Sequence, residues 1–397
     1  MNKEKLPKGW DWKKLGDICD KPEYGYTTSA KQDGSGPLFV RTTDISEGEI
    51  VWTSVPFCTE LPKDEEKYRL KDGDILIARA GSIGASVVVT KPPRAVFASY
   101  LIRFRPKKDL DPSYAKFYLK SMMYWVQLGS KSAGTTLPGV NATNLSKVKI
   151  PLPPLSTQRK IVSILEKAER TKRSCARAEG LIDELLKSVF VEMFGNPVKN
   201  EKRWKIEKFE NVCETRLGKM LDAKKQTGKN NRPYLRNTNI QWGRINLDEV
   251  FEMDFDELER ETLRLKERDL LICEGGEIGR TAIWHCEIPE CYFQKAVHRA
   301  RPYADKAISE FLLYLMQFYA KNGGFQLYSS QSTIAHLTGE KLKSLKIPLP
   351  PLPLQQQFAR IVEKVEAMRE RHKKAKQEVD DLFDALMQKA FTGELIT

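Results

Sequence analysis

KIPLPPL occupies residues 149–155, and the same seven residues return at 346–352, 197 positions later. A heptamer of apolar residues and prolines with a single lysine carries no acid, base or nucleophile, so its repetition points to architecture. It reads as a hinge copied together with its surroundings. Each proline ring fixes φ and biases the preceding residue away from helix, which holds the stretch extended.

The surroundings are indeed copied. GWDWKKLGDIC (9–19) matches RWKIEKFENVC (203–213), and FVRTTDISEGEI (39–50) matches YLRNTNIQWGRI (234–245). RLKDGDILIARAGSIG (69–84) matches RLKERDLLICEGGEIG (264–279), and AVFASYLIRFRP (95–106) matches CYFQKAVHRARP (291–302) more weakly. After each heptamer comes a matched helical stretch, QRKIVSILEKAE against QQQFARIVEKVE. The chain is therefore one unit of about 197 residues, duplicated in tandem. Within each unit, DILIARAGSIGASVVV and DLLICEGGEIGRTAIW read as strand, glycine turn, strand. PSYAKFYLKSMMYWVQL and ISEFLLYLMQFYA read as buried helices. The expected organisation is an α/β block at 1–150, a helical spacer at 151–198, a second α/β block at 199–347 and a terminal helix at 348–397.

The helices carry a heptad signal. From Leu354 the apolar positions run Phe358, Ile361, Val365, Met368, His372, Ala375, Val379, Leu382, Leu386 and Ala390, alternating four and three as in a coiled-coil seam. The first copy gives Ile161, Ile164, Ala168, Thr171, Cys175, Ala178, Ile182, Leu185, Val189 and Met193. Its centre is small, whereas the other helix carries Val365, Met368 and His372, which favours interdigitation of the two. GNP (195–197) ends the first helix, and the second ends near TGEL (392–395). A tandem repeat with each block preceding its helix brings the helices together antiparallel, about a pseudo-two-fold axis. About 30 to 38 helical residues span roughly 45–57 Å, or one to one and a half turns of duplex DNA.

Charge agrees with a polyanionic partner. The 397 residues carry a net charge of +13, and the excess sits in the two α/β blocks, while the helical segments are nearly balanced. Seven cysteines without a CxxC pair fit a reduced, cytoplasmic compartment. MNKEKLPKGWDWKKLGD has no apolar run suited to a signal peptide, and no stretch approaches the roughly 20 apolar residues of a membrane span.

Catalytic patterns are missing. All four histidines lie in the second copy, opposite Val89, Ile102, Gly139 and Cys175. His285, Cys286, Cys291 and His298 have no common zinc spacing, and His372 reads as a polar register-setter in the seam. GSIG and GGEIG lack the spacing and following helix of a dinucleotide turn. There is no Walker A sequence, no Asp/Asn-Pro-Pro-aromatic tetrad of an amino-methyltransferase, and no nuclease-type carboxylate cluster. Glu65/Glu66 and Glu257/Glu259 read as solvated helix faces. No metal or cofactor is expected.

KIPLPPLSTQRKIVSILEKAE, KIPLPPLPLQQQFARIVEKVE, the terminal ALMQKAFTGEL and the RLKxxDxLI…GxIG framework in each half together resemble the specificity subunit of type I restriction-modification enzymes. The resemblance covers nearly the whole chain, and the paired IPLPPL-x-x-Q-helix is its most specific element. It implies two α/β target-recognition domains, pseudo-two-fold related and separated by a long antiparallel two-helix coiled coil. Each domain would read one half of a split site in double-stranded DNA. The helical regions would space them and dock methyltransferase (modification) subunits, two in number, with endonuclease (restriction) subunits as further partners. Methylation with S-adenosylmethionine and cleavage with ATP would belong to those partners. One departure is that Thr171 and Cys175 weaken the seam of the first helix.

Residues identical between halves (Arg41/Arg236, Asp74/Asp269, Gly84/Gly279, Phe97/Phe293, Arg103/Arg299) are assigned to scaffold. Base readers should lie where matched positions diverge in polarity. These are Arg79 against Glu274, Ala85 against Arg280, Ala98 against Gln294 and Ser99 against Lys295. Arg105 joins them. So do the polar stretches SAGTT (132–136), with Thr135 and Thr136, and SSQST (329–333), with Ser332 and Thr333. The competing readings are a stand-alone DNA-modifying or DNA-cleaving enzyme with an unrecognised site, and a coiled-coil dimerisation protein.

Overall fold

The KIPL half of each heptamer is a strand. Lys149–Leu152 pairs antiparallel with Asp11–Lys14, Lys14 facing Lys149 and Asp11 facing Leu152. Lys346–Leu349 pairs with Lys205–Lys208 in the same register. Proline is tolerated because each ladder is only two strands wide, leaving an edge that needs no donor. The heptamer is thus not a free hinge: it ties the end of each repeat to its beginning. The structure, a computed structural model, describes residues 6–46, 48–129, 140–222, 226–326 and 336–396.

Two compact units emerge, Met1–Ala176 with Lys374–Thr397, and Arg177–Lys373. In the first, a four-stranded antiparallel sheet runs in the order Glu23–Tyr24, Leu101–Phe104, Ile75–Ala78, Ser86–Val88. A second four-stranded sheet orders Ala95–Phe97, Leu38–Val40, Phe57–Cys58 and Ala30–Lys31, its first pair parallel. The second unit repeats the plan with Cys213–Leu217, Val297–Pro302, Leu270–Cys273 and Thr281–Ile283. Its smaller sheet orders Phe251–Asp254, Asn231–Leu235 and Tyr292–Phe293, the last pair again parallel.

The unbroken apolar runs ILIA and LLIC follow from this layering. Successive side chains of a strand point to opposite faces. Ile75 and Ile77 enter a core shared with the helices, whereas Leu76 and Ala78 enter the core toward the second sheet, with Val40, Ala95 and Phe97. Leu270 and Ile272 likewise part from Leu271 and Cys273. A strand buried on both faces shows no polar alternation.

The prolines that follow lead into two long helices, Leu155–Phe194 and Leu352–Thr392, both continuous. Their first turns are fixed by buried glutamines. The Nε2 of Gln158 donates to the carbonyls of Asp109 and Pro153, at 2.9 and 2.8 Å, and its Oε1 accepts the Asp111 N–H at 2.9 Å. In the first unit, Ile161, Val162 and Leu165 share a core with Met387, Ala390 and Phe391, while Lys172 pairs with Asp380 at 2.9 Å. Rising numbers on one helix meet falling numbers on the other, so the segments are antiparallel. In the second unit Phe190 and Phe194 close on Phe358, with ring centroids 5.5 and 5.3 Å apart.

The seam differs from the sequence reading at alternate positions. Ile161, Ile182, Phe358 and Val365 are buried, and Ala168, Val189, Ile361, Val379 and Leu386 are half-buried. Ile164, Leu185, Met368 and Leu382 are instead exposed, Leu382 to 56%. Leu165, Leu186 and Phe383 take the inward places beside Ile164, Leu185 and Leu382, and Val362 is buried beside Ile361. Each helix packs on an α/β body as well as on its partner helix, so its buried stripe is wider than a two-helix seam and turned by about one residue. Adjacent apolar pairs such as Ile164-Leu165 and Leu185-Leu186 satisfy either periodicity.

Candidate nucleic-acid interface

Three turns of the first unit meet at one edge. The Arg79 N–H donates to the Tyr100 carbonyl and the Ser99 N–H to the Tyr26 carbonyl, both at 2.9 Å. Tyr26 N–H donates to Phe97 at 2.8 Å. Gly25 makes this approach possible: a Cβ there would lie 2.3 Å from the carbonyl oxygens of Phe97 and Ala98. The second unit builds the same edge from different side chains. Glu274 N–H donates to Ala296 at 3.1 Å, Lys295 to Lys219 at 2.9 Å and Lys219 to Phe293 at 3.1 Å. Gly218 takes the place of Gly25, its Cβ position 2.4 Å from two carbonyl oxygens.

Each edge also receives the residues that follow the polar stretch of its repeat. The Ala142 N–H donates to the Tyr24 hydroxyl at 3.1 Å, and Leu337 N–H to the Glu274 carbonyl at 2.7 Å. Leu337 is further held by His298, whose Nε2 lies 2.9 Å from the Leu337 carbonyl. Burial keeps the pKa of that imidazole below its ordinary value, despite the bond to Leu337 and the nearby Glu274. Thr135, Thr136, Ser332 and Thr333 themselves lie outside the described residues.

The divergent residues thus gather in two equivalent places, Arg79 with Ser99, and Glu274 with Gln294 and Lys295. Arg79 and Lys295 are exposed, and Ser99, Glu274 and Gln294 are half-buried. The Arg79 guanidinium lies over the Tyr24 ring, 5.0 Å from its centroid.

Two expected contacts are engaged elsewhere. Arg105 grips the buried Asp74 carboxylate with two bonds of 2.7 and 2.9 Å. Arg301 does the same to Asp269, with both bonds 2.7 Å. Each aspartate also caps a turn, accepting from Lys71 or Lys266. Such a bidentate pair fixes the strand it sits on. The Arg105 guanidinium is thus bound within its own unit, and its identity with Arg301 was the available signal of that pairing. Arg280 turns inward and donates to the Asn237 carbonyl at 2.7 Å, locking the segment that follows Leu235.

The residues assigned to scaffold are buried or bonded within each unit. Arg103 donates to the carbonyls of Lys67 and Arg69 and pairs with Glu23; Arg299 donates to Thr262 and pairs with Glu214. Phe97 and Phe293 are fully buried. Gly84 and Gly279 adopt positive φ against Trp125 and Phe325, where a Cβ would approach to 2.8 and 2.4 Å. Among the described residues no group of three or more His, Cys, Asp or Glu could hold a metal ion, and no helix is long and apolar enough to cross a membrane.

Two mixed α/β units, each with a polar edge and a share of two long helices, define a duplicated recognition protein. The family model described as Type I restriction modification DNA specificity domain matches residues 7–178 and again 201–381. The chain belongs to this family. It is 25% identical to the EcoKI specificity subunit of Escherichia coli K12, over all of this chain and 91% of that one. It is 25% identical to the StySPI specificity subunit of Salmonella potsdam, with the same coverage. Among solved structures it is similar to a chain from a type I R-M system studied for complex assembly and conformational transition, at TM-score 0.66 and 21% identity. That likeness covers 98% of this chain and all of the other. The HsdS subunit of Thermoanaerobacter tengcongensis matches at TM-score 0.51 and 21% identity, over 99% of both chains. The DNA specificity domain is thus present twice in this chain.

Proposed function

We propose that each unit reads one half of a bipartite site in duplex DNA, and that the helices carry the modification subunits. The observation that supports this reading is the distribution of the differences between repeats. Matched residues that agree are buried in strands, pairs and glycine contacts. Of the four matched pairs that diverge in polarity, three gather at equivalent edges, as two readers of different half-sites on one scaffold require, while Arg280 turns inward. The net charge of +13 supplies the general attraction to phosphates.

The exposed apolar residues of the helices support docking. Ile164 and Leu382 in the first unit, and Leu181, Leu185, Val191 and Met368 in the second, face outward on otherwise amphipathic helices. Large apolar side chains exposed on charged helices suit an interaction face. We assign it to two modification subunits, with restriction subunits joining the assembly, all in the cytoplasm.

The test is selection from a duplex library by the chain assembled with its modification subunits. Two blocks of specified bases separated by a fixed gap are expected. An assembled complex without sequence preference would end this reading. Turnover of DNA by the chain alone, with divalent metal or S-adenosylmethionine, would favour the stand-alone enzyme.

A further inference from the structure

The two recognition edges differ most in charge at one place. Arg79 and Glu274 each follow the last residue of a matched strand, and each donates its N–H to the turn between the neighbouring strands. The Glu274 carbonyl accepts the Leu337 N–H directly, whereas Arg79 lies over Tyr24, whose hydroxyl accepts the Ala142 N–H. Their side chains are opposite in sign. Neither makes a hydrogen bond or ion pair through its charged group among the described residues. In the first unit Arg41, Arg94, Arg103 and Arg105 are by contrast paired with carboxylates.

An unpaired arginine alone would fit a phosphate contact. The equivalent glutamate does not, because a carboxylate is repelled by the DNA backbone. A place that accepts either sign is better suited to the base edges, where donors and acceptors alternate. The aromatic face of Tyr24 holds the Arg79 guanidinium, so less side-chain freedom is lost on binding.

Resting on the reading of each unit as a half-site reader, we propose that Arg79 and Glu274 each select one base of their half-site. Arg79 takes a guanine, its fork of donors meeting O6 and N7. Glu274 takes a cytosine, whose N4 amino group donates to the carboxylate. Adenine also offers an amino group in the major groove, but its N7 acceptor lies beside it and repels a carboxylate; cytosine presents no such acceptor.

The complex with modification subunits, challenged with a randomised duplex library at several salt concentrations, tests this. Arg79→Gln should erase one guanine preference in one half-site and leave the gap and the other half-site unchanged. Affinity for the original site should fall about tenfold to a hundredfold. Glu274→Gln should erase one cytosine preference in the other half-site only. A motif unchanged by both substitutions would overturn the proposal. So would a loss spread evenly over all sequences with a shallower salt dependence, which marks a phosphate contact. Should Arg79→Gln abolish selection altogether, Arg79→Lys decides: retained guanine preference at lower affinity supports base reading, and loss of every preference overturns it. If the unaltered complex selects no bipartite site at all, it is the half-site reading that fails, and the two failures are distinct.

Discussion

Gln355 repeats, bond for bond, what Gln158 does 197 residues earlier. Its Oε1 accepts the N–H of Ile308 at 3.1 Å, and its Nε2 donates to the carbonyls of Lys306 and Pro350, at 3.2 and 2.8 Å. Both glutamines are fully buried. The heptamer and the glutamine beyond it thus form one device. The strand closes the repeat, the prolines turn the chain, and the amide pins the helix start to the loop before the buried body helix.

That device predicts a stability effect without a change of charge. Gln158→Leu keeps the volume but takes the partner from the Asp111 N–H and from the carbonyls of Asp109 and Pro153. A group orphaned in the interior costs about 1–3 kcal/mol; water can reach the carbonyl of the exposed Asp109, so the other two give an expected total of about 2–6 kcal/mol. Gln355→Leu should cost a similar amount in the second unit. Urea unfolding followed by tryptophan fluorescence measures both. An unshifted midpoint would show that the bonds are replaced by water.

Asp254 predicts an acid sensitivity confined to the second unit. Burial would raise its pKa, but the N–H groups of Thr227, Asn230 and Gly228 and the Thr227 hydroxyl all bond the carboxylate and hold it at about 2. An unfolded aspartate titrates near 3.9, roughly. The folded value is depressed, so the stabilisation is present in full above pH 4 or so and fades as pH falls toward 2. Asp254→Asn should therefore be less stable than the parent at pH 6, and the gap should close as acid is added. Denaturation midpoints over a pH series check this. A gap that widens in acid would reverse the sign of the linkage.

The outward apolar positions predict a separation of stability from assembly. Leu382→Glu and Leu185→Glu alter side chains that face solvent in the chain alone, so unfolding midpoints should change little. Affinity for modification subunits should drop at least tenfold, roughly the value of one buried leucine lost at an interface. Titration by light scattering or calorimetry reads the drop. Unchanged affinity in both variants would move the docking face elsewhere.

The duplication, the strand-turn-strand pairs and the long helices were legible because each is written in a local period or in direct repetition. What escaped was non-local. Nothing near Gln158 announces that its partners are Asp109 and Asp111, nearly fifty residues earlier and brought close only by the fold. The seam was half legible: Ile161 and Ile182 are inward in either register, but the choice between Leu185 and Leu186 depends on a body packed beside the helix. Arg105 escaped for a different reason. The aspartate it grips lies 31 residues earlier, across the sheet, although its twin Arg301 shared the letter and the partner.

Helix continuity across the unit boundaries carries the last prediction. The first long helix starts in one compact unit and ends in the other, and so does the last. Because the segments pair antiparallel, a change of length must be made in both. Inserting one heptad after Ala176 and one after Lys373 keeps each apolar stripe in phase. It adds about 10 Å to each helix, at 1.5 Å per residue. On DNA rising about 3.4 Å per base pair, the gap in the selected site should grow by roughly three base pairs. The bases on either side should stay as they are, since no residue of either recognition edge is touched. Library selection with the assembled complex reads both quantities at once. A longer protein that still selects the original gap would separate recognition spacing from helix length, and would place the ruler outside this chain.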